Sequence, residues 1–538
     1  MKRIFLATVF LGITLTLHAA ESAQGKERLR ELTVFPQLDS TVNFMLKCDA
    51  FGWWVGNNES LPGDIAALEE DLKQHPADIQ KRLHLSFLLG QTGQTNEARL
   101  CDQETEQLCR KAMASRPQDG LLLTELGQSL WGADQDPERE RLYRKAVSVS
   151  SNEWRCWVCL GYYLQGRASN ELIPERFRNQ VANGNFAGLE AAGYQPSPEA
   201  FKRSEEAARE AEADFQRALA LAPGEPEVYV QHQAYLAGSN LCSYFVRYFR
   251  EHQKPDASMM LSAYFSAAAL ADLKKAAGLN DNDYRLIDEA AYFDWMRAMV
   301  VLTQGDQSKP FTPDILPGDT RRYISNTLTR LAGMTKDLDQ KQQAGALESH
   351  AFLSLILTNY PDAIADTRRA VALDPGREAS WDMLLGSLVS ASASPDELVS
   401  VCEARLKSRD SARNHLFLAK AFTKAGAWPK AEEQAEAAVR LEPDNLTAQI
   451  MLAALEIRQG GEAKSLERAK EHLHAAGLLA VKMPDDQQKV RCGRDLALDS
   501  AIYAALLDKN DEAKKLVNAA LKMNPNDEDA QTILGVIE

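Results

Sequence analysis

Along most of the chain apolar residues recur three and four positions apart, the spacing of one face of an α-helix. After Pro117 the face reads Leu123, Leu126, Gly127 and Leu130, and after Ser151 it reads Trp157, Leu160, Gly161 and Leu164. Trp381, Leu384 and Leu388 follow Pro375, and Leu418, Ala419 and Phe422 follow Arg409. The Gly or Ala in these runs leaves room for a neighbouring helix backbone. Ahead of such runs another helical stretch ends, as in RKAMASRP (110–117), RKAVSVSS (144–151), RALALAP (217–223), RAVALDP (369–375), AAVRLEP (437–443) and AALKMNP (519–525). Most of these ends carry a proline, which lacks the N–H and clashes with the preceding turn, so the helix stops there. The second helix of each pair also offers small residues: Ala211 and Ala218 flank Phe215, and Ala431 pairs with Ala438.

The first two of these ends align at an offset of 34 residues, and Pro375 and Pro443 lie twice that distance apart, with Arg409 at the midpoint. The shared register and the W-x-x-L-G-x-x-Y/L face resemble the tetratricopeptide repeat, a pair of antiparallel helices. That resemblance implies an all-α protein: an α-solenoid of antiparallel helical hairpins in a right-handed superhelix, whose first helices line a concave side that holds a protein or peptide. The clearest repeats cover 64–166, 199–237 and 344–476, with another from about 490.

The chain has 538 residues, too many for one ordinary core, so repeats or several domains are expected. Residues 1–20 read as a signal peptide and 21–62, with Trp53 and Trp54, as a linker or cap. A repeat array follows over 63–237, and a second occupies 344–538. Between them, 238–343 keeps helical spacing but loses the register, which predicts elongated or degenerate hairpins, and TQGDQSKPFTPDILPGD (303–319) is the best internal break. Between Ser151 and Pro223 the chain is longer than two repeats. A first helix over 154–165 and a second starting near 199 place the excess in an insertion at about 166–198. Its Gly, Asn and Pro content predicts a long loop with one short helix. Its Phe177, Phe186 and Tyr194 either reach over the groove or pin the loop to the body.

Lys2 and Arg3, the apolar run IFLATVFLGITLTL, and Ala19 and Ala20 form the three parts of a secretory signal, with cleavage expected near Ala20. The expected location is therefore the periplasm or the outside of the cell, with no membrane span after signal removal. A net charge of −15 opposes binding to nucleic acid. Eight cysteines are too sparse for a disulfide scaffold.

Candidate chemistry is thin. No phosphate loop, dinucleotide fingerprint, zinc-protease motif or nucleophile elbow is present. No nucleophile stands with its base, and neither cofactor nor metal is expected. His472 and His474 form H-x-H, but two positions apart on a helix they point different ways, and a surface helix is the simpler reading. Cys156 and Cys159, in WRCWVCLGYYL, flank the packing face near a helix N-terminus. They read as small buried hydrophobes, with a disulfide or redox pair as the sharper alternative. By the repeat resemblance the groove positions are Gln128, Trp131, Arg155, Tyr162, Arg413, Lys420, Lys424 and Arg458. Arg413, Lys420 and Lys424 share a helix face and suit an acidic peptide or a terminal carboxylate, or else form a solvated charged surface. The expected function is non-enzymatic binding of a protein or peptide. The alternatives are an accessory role in envelope assembly, secretion or polysaccharide export, and a thiol-active protein using Cys156 and Cys159.

Overall fold

A computed structural model of the chain describes residues 26–35, 61–130, 135–177, 187–251, 262–303, 316–334, 338–459, 463–482 and 487–537. The expected signal segment, Trp53, Trp54, Trp131, Phe186 and most of the 303–319 break lie outside them. Among the described residues there is no strand. The protein is all-α, an α-solenoid of antiparallel helical hairpins, and it divides into two compact units: 41–384, and 385–538 together with 1–40. No described helix is long and apolar enough to cross a membrane.

Five hairpins among the described residues are closed by the same backbone device. At the end of a first helix one residue turns left-handed, at Gly93 (φ 77°) and Gly426 (φ 69°), and without glycine at Thr358 (57°), Ser392 (55°) and Asp508 (61°). The N–H of the next residue then reaches back five positions. Gln94 N bonds Leu89 O at 2.9 Å, Asn359 N bonds Ser354 O at 2.8 Å, and Lys509 N bonds Ala504 O at 3.0 Å. These bonds satisfy carbonyls that the helix end leaves open.

Between hairpins a second device recurs. At five second-helix ends the residue six places on donates a side-chain hydrogen bond to the carbonyl at that end. Trp157 Nε1 reaches Ser151 O at 3.0 Å, Tyr229 Oη reaches Pro223 O at 3.1 Å, and Trp381 Nε1 reaches Pro375 O at 2.9 Å. Gln449 and Gln531 do the same to Pro443 at 2.8 Å and Pro525 at 2.9 Å. The repeat register is thus held by a polar tie as well as by apolar packing. Side-chain caps start many helices: Asp119 accepts from Leu122 N, Ser197 from Ala200 N, and Asp339 forms a capping box with Gln342.

In the 41–384 unit, helix Trp154–Leu172 packs against Pro198–Leu221. Gly161 faces the ring of Phe215 so closely that a Cβ there would stand 2.8 Å from ring carbons. Ala211, Phe215 and Ala218 are each fully buried, the small-against-large arrangement their spacing predicts. The first helix does not stop at 165. It runs on to Leu172, because Ala168 and Leu172 continue the buried face of Gly161 and Leu164. Leu172 and Ile173 join Leu189 and Phe249 in a local core, against which Phe177 and Tyr194 pack. The insertion thus lengthens the hairpin first, and the described part of its loop, with a short helix at Ala187–Ala191, lies against the body. The irregular middle is helical throughout its described part: Pro226–Glu251, Ala267–Leu279, Tyr284–Thr303 and Gly318–Met334, sharing one core around Phe293, Ile287, Leu273 and Ile324.

The second unit alternates first helices (Ala412–Lys424, Leu446–Gln459, Gln487–Leu506, Glu528–Ile537) with second helices (Trp428–Leu441, Ala463–Lys482, Asn510–Met523). Its core is small-residue rich: Ala431, Ala435, Ala438, Ala453, Ala469, Ala501, Ala513 and Ala520 are all fully buried. Residues 26–35, from the part read as a linker or cap, pack on these repeats, and Leu29 belongs to their core.

Candidate peptide-binding face

The first helices of the second unit carry a polar surface on an apolar base. On Gln487–Leu506, Asp495 and Asp499 are one turn apart and buried, at 6% and 0% exposure. Arg494 beside them forks into the last helix. Its Nε and Nη2 each hold Asp527 at 2.8 Å, Nη2 reaches Asp529 at 2.6 Å, and Nη1 reaches Asp495 at 2.8 Å. The Arg494 bonds pull the Asp527 carboxyl below its ordinary value, whereas burial pushes Asp495 up. Asp499 is pushed well above the usual carboxylate range by burial, with the Val34 N–H pulling the other way.

This face already clasps a piece of main chain. Val34 N donates to Asp499 Oδ1 at 2.9 Å, and Arg458 Nη1 donates to Arg30 O at 3.1 Å. The Arg458 guanidinium also lies over the Trp428 ring, 4.9 Å from its centroid, a cation–π contact that fixes its direction. Phe35 stacks on the same indole, at 6.0 Å and 21°. Lys26 pairs with Asp508 at 2.8 Å. Leu29 and Thr33, one turn apart, are the buried side chains of the segment, at 5% and 7% exposure.

The expected groove residues distribute as follows. Arg458 sits on the main chain of residues 26–35. Lys420 acts electrostatically on Asp495, so the basic stripe is partly answered by an acidic one on the same surface. The Arg413 guanidinium stands over the Phe417 ring at 5.6 Å, and Lys424 is exposed. In the other unit Gln128 is exposed, with Nε2 3.5 Å from Cys159 Sγ. Arg155 lies over Trp154 at 4.7 Å and pairs with Glu153 at 3.4 Å. The Tyr162 hydroxyl donates to Gln231 O at 2.7 Å and its ring meets Phe215 edge-on, so this tyrosine ties two hairpins together. Asp495, Asp499, Arg494 and Trp428 were not among the expected residues. Two carboxylates four apart in GRDLALDS, on a helix face otherwise apolar, were the available sign.

Cys156 and Cys159 carry free thiols. Cys156 is fully buried in a core with Leu122, Leu123 and Leu126 of the preceding hairpin and Cys109 of helix Thr95–Met113. Burial pushes both thiols up to about 12, the opposite direction to the one an attacking thiolate needs. Among the described residues no three or more His, Cys, Asp or Glu side chains gather as a metal site would require.

His472 is not a surface group. It is half-buried, with Nδ1 2.7 Å from Gln449 Oε1 and Nε2 3.7 Å from Glu456. Glu456 lies under the same helices at 1% exposure, with Arg468 at 2.8 Å, and Arg468 also holds Glu432 and Glu436. Burial pushes the Glu456 carboxyl up to about 8, with Arg468 pulling against it. A carboxyl raised on folding keeps its proton in the folded state. Its contribution is therefore whole below the unfolded value of about 4.3 and is lost as pH rises toward 8. Glu456→Gln removes this titration while Arg468 keeps two partners. The variant is expected to be more stable than the unaltered chain at pH 8, by about 1–3 kcal/mol, and to approach it at pH 5. Hydrogen exchange along Leu446–Gln459 at the two pH values reads the difference.

No family model matches the chain, and no curated protein matches it. Among solved structures it is similar to yeast Tom70, at 15% identity over 89% of this chain and 92% of that one, with a TM-score of 0.36. It is similar to the Cut9–Hcn1 hetero-tetramer of APC/C at 14% identity, over 83% and 88% of the two chains, with a TM-score of 0.31. A third likeness, to YrrB, a TPR protein with an unusual peptide-binding site, has 15% identity, covers 38% of this chain and 96% of that one, and has a TM-score of 0.28. Likenesses of this size add nothing to the helical-hairpin architecture already described.

Proposed function

We propose that the chain is a non-enzymatic helical-repeat scaffold that binds a protein or peptide along the first helices of its second unit, and that it acts in the periplasm or outside the cell. One observation carries the binding part: Asp499 and Arg458 hydrogen-bond the main chain of a segment laid across these helices. Main-chain hydrogen bonds combined with apolar anchors are a general means of holding a peptide segment. The basic residues Arg413, Lys420 and Lys424 extend the same surface and give it charge selectivity. Affinity capture from the envelope fraction tests the reading. The unaltered chain is expected to retain a specific partner, and Lys420→Glu to reduce its recovery at least tenfold. Equal recovery, or none from either chain, would overturn it. Export rests on the N-terminal pattern of charge, apolar run and small residues. N-terminal sequencing of the secreted chain is expected to begin at Glu21, and a chain that keeps Met1 in the cytoplasm would overturn that part.

A further inference from the structure

We propose that residues 26–35 are a detachable intramolecular ligand, which occupies the binding face of the second unit in cis and excludes the partner. The partner is then a segment of the same chemistry: a short amphipathic helical turn with a leucine anchor and flanking cations, followed by a short non-helical stretch that ends in an aromatic ring. This deepens the proposed function and rests on it.

Four observations support the assignment. First, the segment comes from the opposite end of the chain, so its bond to Asp499 spans 465 positions and no repeat helix depends on it for its own hydrogen bonds. Second, its hold is slight. It includes Leu29 and Thr33 as buried side chains, Leu32 and Val34 partly buried against the same core, Phe35 on Trp428, two main-chain bonds, and the Lys26–Asp508 pair, in which Asp508 is largely exposed. The repeats fill their own interior with Ala453, Ile457, Leu498, Ala501 and Ile502. Third, the two main-chain bonds would serve any segment of the same backbone shape, because neither uses a side chain of residues 26–35. Fourth, the fit is incomplete. Asp499 Oδ2 is buried and has no hydrogen-bond partner among the described residues. A partner that brings one more polar group there, a carbonyl for the neutral carboxyl or a cationic side chain for the ionised one, satisfies an oxygen that residues 26–35 leave open. Such a partner outcompetes the cis segment despite the latter's advantage in effective concentration.

The test uses the full chain with Leu29→Asp and Val34→Pro, which removes the anchor and the N–H donor without shortening the protein. The probe is a fluorescein-labelled peptide of residues 25–36. The peptide is expected to bind this variant at least tenfold more tightly than it binds the unaltered chain, and adding Asp499→Leu is expected to abolish that binding. Equal binding to both chains, or none to the variant, would overturn the proposal. So would loss of cooperative unfolding of the second unit in the variant, which would make the segment a part of the core. The two readings fail differently. If the peptide does not bind but Lys420→Glu still abolishes partner capture, only the cis ligand falls. If neither the unaltered nor the variant chain captures a partner, the binding face falls with it.

Discussion

Phe215→Ala is expected to destabilise the hairpin built from Trp154–Leu172 and Pro198–Leu221 by about 3–5 kcal/mol. Phe215 is fully buried, stacks on Tyr235 at 4.2 Å and meets Tyr162 edge-on at 5.1 Å. Its removal leaves a cavity that three helices line. The same ring explains a glycine. A methyl group on Gly161 would meet it at 2.8 Å, so Gly161→Ala alone is expected to cost about 1–3 kcal/mol. In the Phe215→Ala background that sign reverses. The methyl then enters the cavity, and the helix gains up to about 1 kcal/mol from replacing glycine. A coupling of this size between touching residues is what a double-mutant cycle detects. A 538-residue array does not unfold in one step, so hydrogen exchange along Trp154–Leu172 is the proper readout. Additive effects of the two substitutions would show that the helices do not pack through this pair.

Arg377→Leu is expected to cost about 3 kcal/mol. The carboxylate of Glu348 is 1% exposed, and its Oε1 accepts from Arg377 Nε at 2.7 Å and from the Ser380 hydroxyl. Its other oxygen has no hydrogen-bond partner among the described residues, so Arg377 supplies the charge that makes burial tolerable. Breaking one side of such a pair strands the other, whereas removing both does not. The double variant with Glu348→Leu is therefore expected to recover most of the loss in hydrogen-exchange protection along Gln340–Ile356. A double variant no better than Arg377→Leu would show that the arginine acts through something other than this carboxylate.

Much of the fold is legible in the residue pattern because the repeat states it many times. The small residues of the second helices are visible as Ala211, Ala218, Ala431 and Ala438, and all four are buried. The six-residue step from helix end to the next face has a cause beyond periodicity, the side-chain bonds of Trp157, Tyr229, Trp381, Gln449 and Gln531 to the preceding carbonyls. The end of helix Trp154–Leu172 was misread for a physical reason. Gly166 and Asn170 suggest a break, but they lie away from the buried face, where Ala168 and Leu172 carry the helix onward. The proposed binding face is half legible. Lys420 and Arg458 stand out as cations at positions the repeat resemblance assigns to a groove, whereas Asp495 and Asp499 resemble the many exposed helix carboxylates until burial sets them apart. The docking of residues 26–35 had no local signal at all, since nothing near Leu29 encodes a contact with Leu446–Gln459 or Gln487–Leu506.

The central claim is that a partner binds the first helices of the second unit. Site-specific photo-crosslinking tests it most directly, with the crosslinker placed in turn at Lys420, on a first helix, and at Lys515, exposed on the second helix Asn510–Met523. The account predicts a partner adduct from position 420 and none from 515. Adducts from 515 alone, or equally from both, would contradict it.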